Sequence, residues 1–586
     1  MRSPERVLNS LNEHSKDSSY KFERLYRILF NEELFYVAYQ KIASNGGSTT
    51  KGSDGRSIDE MSLARIETLI ASLKDESYQP HPSRRVHIPK KNGKTRPLGI
   101  PAFEDKLVQE VVRMILEAIY EGHFETTSHG FRPKRSCHTA LLHIQKTFSG
   151  AKWFIEGDIK GFFDNIDHDV LVGILRERIS DDRFIRLIRK FLKAGYVEDW
   201  TFHNTYSGMP QGGIVSPILA NIYLDKLDKY VKEYIRHFDM GTKRRPGKES
   251  NDLANERKRT VRKLKKVKDG TEKAALVARL KAIEQERAAF PSGDEMDGSY
   301  RRLKYIRYAD DFILGVIGSK EDALRIKEDI KSFLSESLAL ELSEEKTLIT
   351  HTGKSAKFLG YEITVTRNNH QRRDVQGRLR RTYGKRVRLN VSMATLRDKL
   401  LEYGAMEIKL RNGKEIWKPK CRSGLIFNDD LEILDRYNRE TVGFCNYYLI
   451  ANNCVVLHNF RYIMEYSMYK TFAGKYRSTV RKINKKYRLN KLFTVKYEQK
   501  GVIKSRTFYK TSFKRRTTAF NGSCDIEPYS IADVWGNGQA DYAPCPQPQR
   551  PERERELETA HVSPKTQDHC VVSELPQAAA SGKSLD

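Results

Sequence analysis

A mixed α+β fold is predicted by three features of this 586-residue chain. Apolar residues recur at helical spacing through the first eighty residues, strand-like apolar runs alternate with helical ones from Arg84 onward, and helical spacing returns after about Gly384. The chain is 39% hydrophobic and carries 105 Lys+Arg against 76 Asp+Glu, a formal net charge of +29. A core is therefore expected inside an unusually charged surface, in roughly three to four compact units. No run approaches the roughly 18 uninterrupted apolar residues of a membrane span, and Met1 to Ser10 lacks the apolar run of a secretory signal, so neither membrane insertion nor export is expected. Seven scattered cysteines form no C-x-x-C pair, which points to a reducing compartment rather than a disulfide framework.

In chain order, residues 1–80 read as helices, with Phe22, Leu25, Ile28, Leu29 and then Leu34, Val37, Ala38, Ile42 at helical spacing. A polar loop from Gly46-Gly47 to Gly55 interrupts them. Residues 81–370 form the mixed region, with strands at Val86–Ile88, Trp153–Ile155, Tyr305–Tyr308 and Phe312–Ile317. Inside it, residues 241–304 hold 19 basic against 10 acidic residues, and apolar positions flank an Asp269-Gly270 turn, which predicts an inserted helical hairpin. From about Gly384 to about Arg488 the pattern reads as helical, 491–523 as short aromatic-basic segments, and 524–586 as a disordered Pro-, Gln- and acid-rich tail.

Charge is concentrated rather than spread. From Asp525 onward there are 5 basic and 11 acidic residues, so the first 524 carry 100 against 65. Between Lys470 and Arg516, 17 basic residues stand against Glu498 alone, with eight aromatics interleaved. Phosphate neutralisation combined with ring stacking on bases suits such a mixture, although a charge run is often only a solvated face.

The sharpest chemical feature is Tyr308-Ala309-Asp310-Asp311 between two apolar runs, which would hold two carboxylates at a hairpin tip. Asp pairs also mark ordinary turns. A second aspartate, Asp158, follows Trp153-Phe154-Ile155 and precedes Gly161-Phe162-Phe163-Asp164. Carboxylates on adjacent strands supply the hard oxygens that a pair of Mg²⁺ ions needs for in-line phosphoryl transfer. Residues 88–101, Ile-Pro-Lys-Lys-Asn-Gly-Lys-Thr-Arg-Pro-Leu-Gly-Ile-Pro, read as a basic turn able to close cations over a triphosphate. Residues 208–217 read as a glycine loop entering a helix, with Ser216 as N-cap and Pro217 following it.

In order and spacing these segments resemble the palm and fingers of reverse transcriptases, and in detail the group II intron-encoded proteins. I-P-K-x-x-G-K-x-R-P-L-G-I-P, H-G-F-R-P-x-R-S, D-I-K-G-F-F-D-N-I-D-H, G-x-P-Q-G-G-x-x-S-P-x-L-A-N-I-Y-L, Y-A-D-D and F-L-G-Y are all present across roughly residues 50–490. The resemblance implies a right-hand polymerase: fingers and palm at 81–370, then an α-helical thumb or maturase domain X at 371–490, signalled by Tyr437-Asn438, Gly443–Tyr448 and Tyr469–Lys475. It implies that Asp158, Asp310 and Asp311 bind two Mg²⁺ ions and that Lys90 and Arg96 hold the dNTP triphosphate. Gln211 would meet the nascent base pair, and Phe162, with Phe163 as the alternative, would exclude a ribose 2′-hydroxyl. Lys346 would stand near the pyrophosphate, and Phe358, Leu359, Gly360 and Tyr361 would form the primer grip.

By the same resemblance the chain binds its own intron RNA, assists its splicing, and copies it into DNA at a target DNA site. Lys470, Lys475, Arg481, Lys482, Lys485 and Lys486 are the expected RNA contacts. Competing expectations are a splicing-only maturase with a relic polymerase site, and a DNA-templated repair polymerase with no intron partner. A bacterial cytoplasm is expected, a mitochondrion or chloroplast being the alternative, and the oligomeric state is open, a dimer included. Many such proteins end in an H-N-H endonuclease with two C-x-x-C pairs, whereas Cys524, Cys545 and Cys570 lie 21 and 25 residues apart. Second-strand nicking and a zinc site are accordingly not expected.

Overall fold

The computed structural model describes residues 3–517, apart from 44–46, 90–92, 94, 290–292, 295–296, 367–370, 374–375, 377–378, 382–383, 500 and 511. Lys90 and the tail cysteines Cys524, Cys545 and Cys570 thus lie outside the described residues. Helical spacing near the N-terminus produces α1 (Pro4–Ser15), α2 (Glu32–Ala43) and α3 (Leu63–Lys74). Strands β1 (Ser83–Pro89) and β2 (Thr95–Ile100) then pair antiparallel around the basic turn, where Gly93 takes φ 77°. Next come α4 (Phe103–Tyr120), α5 (Cys137–Thr147), β3 (Trp153–Asp158) and the helices α6 (Phe162–Asn165), α7 (His168–Arg176) and α8 (Asp182–Lys193). A short hairpin, β4 (Tyr196–Glu198) and β5 (Thr201–His203), joins the earlier one into a sheet of order β2-β1-β4-β5.

Helix α9 (Ser216–Phe238) leads into the basic insertion, where α10 (Lys248–Leu264) and α11 (Gly270–Ala289) pack side by side. Asp269 Oδ2 accepts from Thr271 Oγ1 and Glu272 N, securing the tight turn between them. The chain then forms β6 (Arg302–Tyr308), β7 (Asp311–Ile317), α12 (Lys320–Leu338) and β8 (Leu348–His351). With β3 these strands make the central antiparallel sheet, in the order β6-β7-β3-β8. Alternation of side chains splits the apolar residues of this sheet between two cores. Ile155, Leu303, Tyr305, Phe312 and Leu314 face the core built on α4 and α9, whereas Phe154, Ile306 and Ile313 face the core shared with α5 and the C-terminal helices.

The C-terminal part holds more strand than expected. It contains β9 (Ala356–Phe358), β10 (Tyr361–Val365), β11 (Gln371–Arg373), β12 (Leu379–Arg381), β13 (Val387–Asn390), α13 (Met393–Glu402), β14 (Met406–Arg411) and β15 (Lys414–Pro419). Then follow α14 (Asp430–Tyr448), α15 (Leu457–Lys475), α16 (Val480–Tyr487), β16 (Arg488–Leu489), β17 (Leu492–Gln499) and β18 (Val502–Thr507). The β14–β15 hairpin turns at Asn412-Gly413, both at positive φ, and that dipeptide is a strong hairpin signal that the helical reading overlooked. The start of α9 is also corrected: Val215 is its N-cap, and Ser216 is already helical. The Ser216 hydroxyl instead donates to Pro210 O at 3.0 Å, closing the glycine loop on itself. Among the described residues no helix is long and apolar enough to cross a membrane.

Gly157 and Phe312 pair across β3 and β7, and a Cβ at Gly157 would lie 2.1 Å from the Phe312 ring. Phe312 is 1% exposed and lies within the core built on α4 and α9. Gly157→Ala should therefore destabilise the chain by about 1–3 kcal/mol, read as a lower urea midpoint with an unchanged slope.

Candidate active site and nucleic-acid interface

Three carboxylates meet where two strands end. Asp158 closes β3, Asp311 opens β7, and the two are direct cross-strand partners, so their side chains leave the sheet on one face. Asp310 precedes Asp311 in the tight turn after β6, where Ala309 takes φ 55°. Burial, followed by the charges of Asp310 and Asp158, pushes the Asp311 carboxyl up to about 7. Burial also raises Asp310, against the opposing fields of Arg96 and Lys346. Lys346 Nζ bonds Asp158 Oδ2 at 2.8 Å. The segment that carries Lys346 is pinned to the same strand end, with Ser343 N donating to Asp158 O.

Crowded, partly buried carboxylates of this kind fit divalent cations, which prefer hard oxygen ligands. Among the described residues, no group of three or more His, Cys, Asp and Glu side chains is placed so as to hold a metal ion on its own. Mg²⁺ characteristically needs no such cage, since one or two carboxylates, water and substrate phosphates complete its shell.

The glycine loop abuts the β1–β2 hairpin through main-chain contacts. Gly99 N donates to Gln211 O at 2.7 Å, and a Cβ on Gly212 (φ 122°) would lie 2.4 Å from Gly99 O. Gln109, a polar residue within the apolar run of α4, accepts from Ile214 N and Val215 N through Oε1. Sequence reasoning missed it, although an amide inside a buried helix is itself a signal. A cavity of about 420 Å³ opens between the hairpin and the loop, lined by Arg85, Pro97, Phe163, Tyr206, Pro210 and Gln211.

Phe163 lines that cavity and Phe162 does not. Phe162 is 2% exposed, within the core and beside Tyr223. Successive residues on the short α6 point about 100° apart, so the ring expected in the cleft, that of Phe162, lies in the core while that of Phe163 faces the cavity. The F-L-G-Y segment, expected as a primer grip, is part buried and part exposed. Phe358 and Tyr361 are buried, and only the Leu359-Gly360 turn, with both residues at positive φ, reaches the surface. That turn is held by α14: Tyr447 Oη donates to Leu359 O at 2.7 Å and Tyr448 Oη to Gly360 O at 3.3 Å, while Tyr361 Oη donates to Tyr447 O.

The basic-aromatic region resolves into two layers. Phe472, Phe493, Phe508 and Phe513 are core residues, so they do not offer the stacking surface that their spacing suggested. Lys475 is engaged by Asp430 at 2.6 Å and by Asn428 O, and Lys470 Nζ donates to Pro419 O at 2.7 Å. Arg481, Lys482, Lys485 and Lys486 are exposed on α16, whose single buried residue is Ile483.

Sequence comparison agrees with this arrangement. Residues 88–244 and 282–363 match the reverse transcriptase (RNA-dependent DNA polymerase) family, and residues 384–521 match the type II intron maturase family. The gap in the first match falls within the α10–α11 insertion. The group II intron-encoded protein LtrA of Lactococcus lactis subsp. cremoris is 48% identical over 479 residues, 81% of this chain and 79% of that protein. The chain belongs to the group II intron-encoded reverse transcriptases. It is an RNA-directed DNA polymerase joined to an intron maturase, with functions in intron splicing and mobility. This reverse transcriptase-maturase is also similar to the putative COX1/OXI3 intron 1 protein of Saccharomyces cerevisiae, at 35% identity over 83% of the chain and 56% of that protein. The protein YkfC of Escherichia coli is 35% identical over 60% of the chain and 86% of its own length. Reverse transcriptases use divalent metal ions, in keeping with the carboxylate cluster of this one.

The two phenylalanines should separate on substitution. Phe163→Ala should lower the preference for dNTP over rNTP by about 10–200-fold, measured in single-nucleotide extension. Phe162→Ala should leave that preference intact and cost about 3–5 kcal/mol of stability.

Proposed function

We propose that Asp158, Asp310 and Asp311 hold two Mg²⁺ ions, and that with them the chain copies its own group II intron RNA into DNA from dNTPs at a target DNA site. The cross-strand pair Asp158 and Asp311, with Asp310 one residue away, carries this reading. Bound there, the ions would favour loss of the proton from the attacking 3′-hydroxyl and offset the negative charge that builds on the departing pyrophosphate. Arg96 lies close enough to act on Asp310 and is the described cation best placed for the triphosphate, with Lys90 preceding the same turn in sequence. Gln211 and Phe163 border the space for the nascent base pair and the sugar. Lys346, bonded to Asp158, would meet the leaving pyrophosphate. The exposed cations of α16 serve intron RNA, and they lie on an element separate from the carboxylates.

Because splicing assistance rests on RNA binding and not on the carboxylates, the two activities should come apart. Asp310→Ala should lower cDNA synthesis by roughly 10²–10³-fold and leave protein-assisted splicing of the intron unchanged. Retention of cDNA synthesis in that variant would overturn the site assignment. Changing Lys482, Lys485 and Lys486 together to Gln should weaken intron RNA binding and reduce the slope of log K against log salt by about 2–3. An unchanged slope would move the RNA track elsewhere, the α10–α11 insertion being the next candidate.

A further inference from the structure

Behind the catalytic turn lies an arginine that the chemistry above does not use. Arg307, on β6, is fully buried, and its side chain points with those of Leu303 and Tyr305 toward α9. All five of its side-chain N–H groups are satisfied by three different segments. Nε and Nη2 bond the two oxygens of Asp228 on α9 at 2.8 and 2.6 Å, and Nη1 reaches Asn221 Oδ1 on the same helix at 3.2 Å. Nη2 also donates to Ser128 Oγ, and Nη1 to Ala309 O at 2.9 Å.

Ala309 is the left-handed residue between Tyr308 and Asp310, so the last of these bonds fixes the carbonyl on which the direction of the turn depends. The H-G-F-R-P segment, which the polymerase chemistry leaves without a role, closes over the other side. Arg307 N donates to Thr127 O and His129 N to Arg307 O, both at 2.9 Å. Asn221 Nδ2 donates to Gly130 O, and a Cβ on Gly130 would lie 2.2 Å from Ala309 N. A buried ion pair is an expensive way to gain stability alone, since apolar residues of similar volume often do as well. Here one of its donors holds the main chain that carries Asp310, and the others tie that strand to α9 and Ser128.

The geometry points to Arg307 as a positioning residue of the polymerase, one that sets the catalytic turn and, with Asp228, Asn221 and residues 127–130, determines where Asp310 and Asp311 present their oxygens to metal. This rests on the reading of those aspartates as metal ligands. Lysine at this position keeps a positive charge beside Asp228, yet one compact ammonium cannot also span Asn221, Ser128 and Ala309. An Arg307→Met, Asp228→Leu double variant removes both charges together and leaves no uncompensated ion in the core.

The test compares Arg307→Lys, that double variant and Asp310→Ala in the full chain. Mn²⁺ binding is read from loss of the free-ion paramagnetic resonance signal. The folded fraction is taken from melting and from intron RNA affinity, and kcat and KM are measured with dTTP on a poly(rA) template with an oligo(dT) primer. Per folded chain, Arg307→Lys should lose about 10–100-fold in Mn²⁺ affinity and in kcat, with the KM for dTTP little changed. A merely structural arginine would lower only the folded fraction. Parental Mn²⁺ affinity and kcat per folded Arg307→Lys chain would overturn the proposal, and if that variant does not fold the double variant decides by the same measure. Normal cDNA synthesis by Asp310→Ala would instead overturn the metal-site reading beneath it.

Discussion

The register of β3 against β7 is the constraint on which the polymerase half depends. Side chains alternate along a strand, so a slip of one residue would send Asp158 to the opposite face from Asp311. Two features hold the alignment: Gly157 leaves room for the Phe312 ring, and Gly315, opposite Phe154, leaves room for Phe148. Each glycine answers to a buried aromatic, so packing and carboxylate placement are settled together. A cluster of negative charge at a sheet end is unfavourable in isolation. The surrounding cores offset that cost and leave the site poised for cations.

A second dependence runs through backbone rather than side chains. The loop containing Gln211 meets the β1–β2 hairpin where Gly99 and Gly212 allow main chain to approach main chain. Hairpin and loop thereby share one wall of the cavity between them. The position of Gln211 follows from the backbone bond to Gly99, from the Ser216 hydroxyl closing the loop and from Gln109 beneath it. None of these contacts involves the charged residues that first drew attention to the region.

Much of this was legible in the sequence where the signal was local. The Tyr308–Asp311 turn between two apolar runs, the strand ending at Asp158 and the hairpin around Asp269-Gly270 each follow from patterns a few residues long. What escaped was what depends on orientation or on distant partners. Phe162 and Phe163 are neighbours of one residue type, and only the direction of α6 tells them apart. The aromatics after Lys470 suggested a stacking surface because their spacing did not show that α14 and α15 would enclose them. Lys475 could not be told from Arg481 or Lys482 until Asp430, 45 residues earlier in the chain, was found beside it.

The tyrosine hydroxyls that reach from α14 to the Leu359-Gly360 turn bear on how such a protein can age. A lineage that stops copying RNA and keeps only splicing would be released from selection on its aspartates within a few substitutions. It would not be equally free to shed the turn between β9 and β10. Tyr447 and Tyr448 sit at the end of a helix within the region that matches the maturase family, and their hydroxyls would lose the two carbonyls that they bond. The seam between the two activities in chemistry is thus not a seam in the folded chain. Decay of the first should leave a dead catalytic centre inside an architecture preserved on behalf of the second.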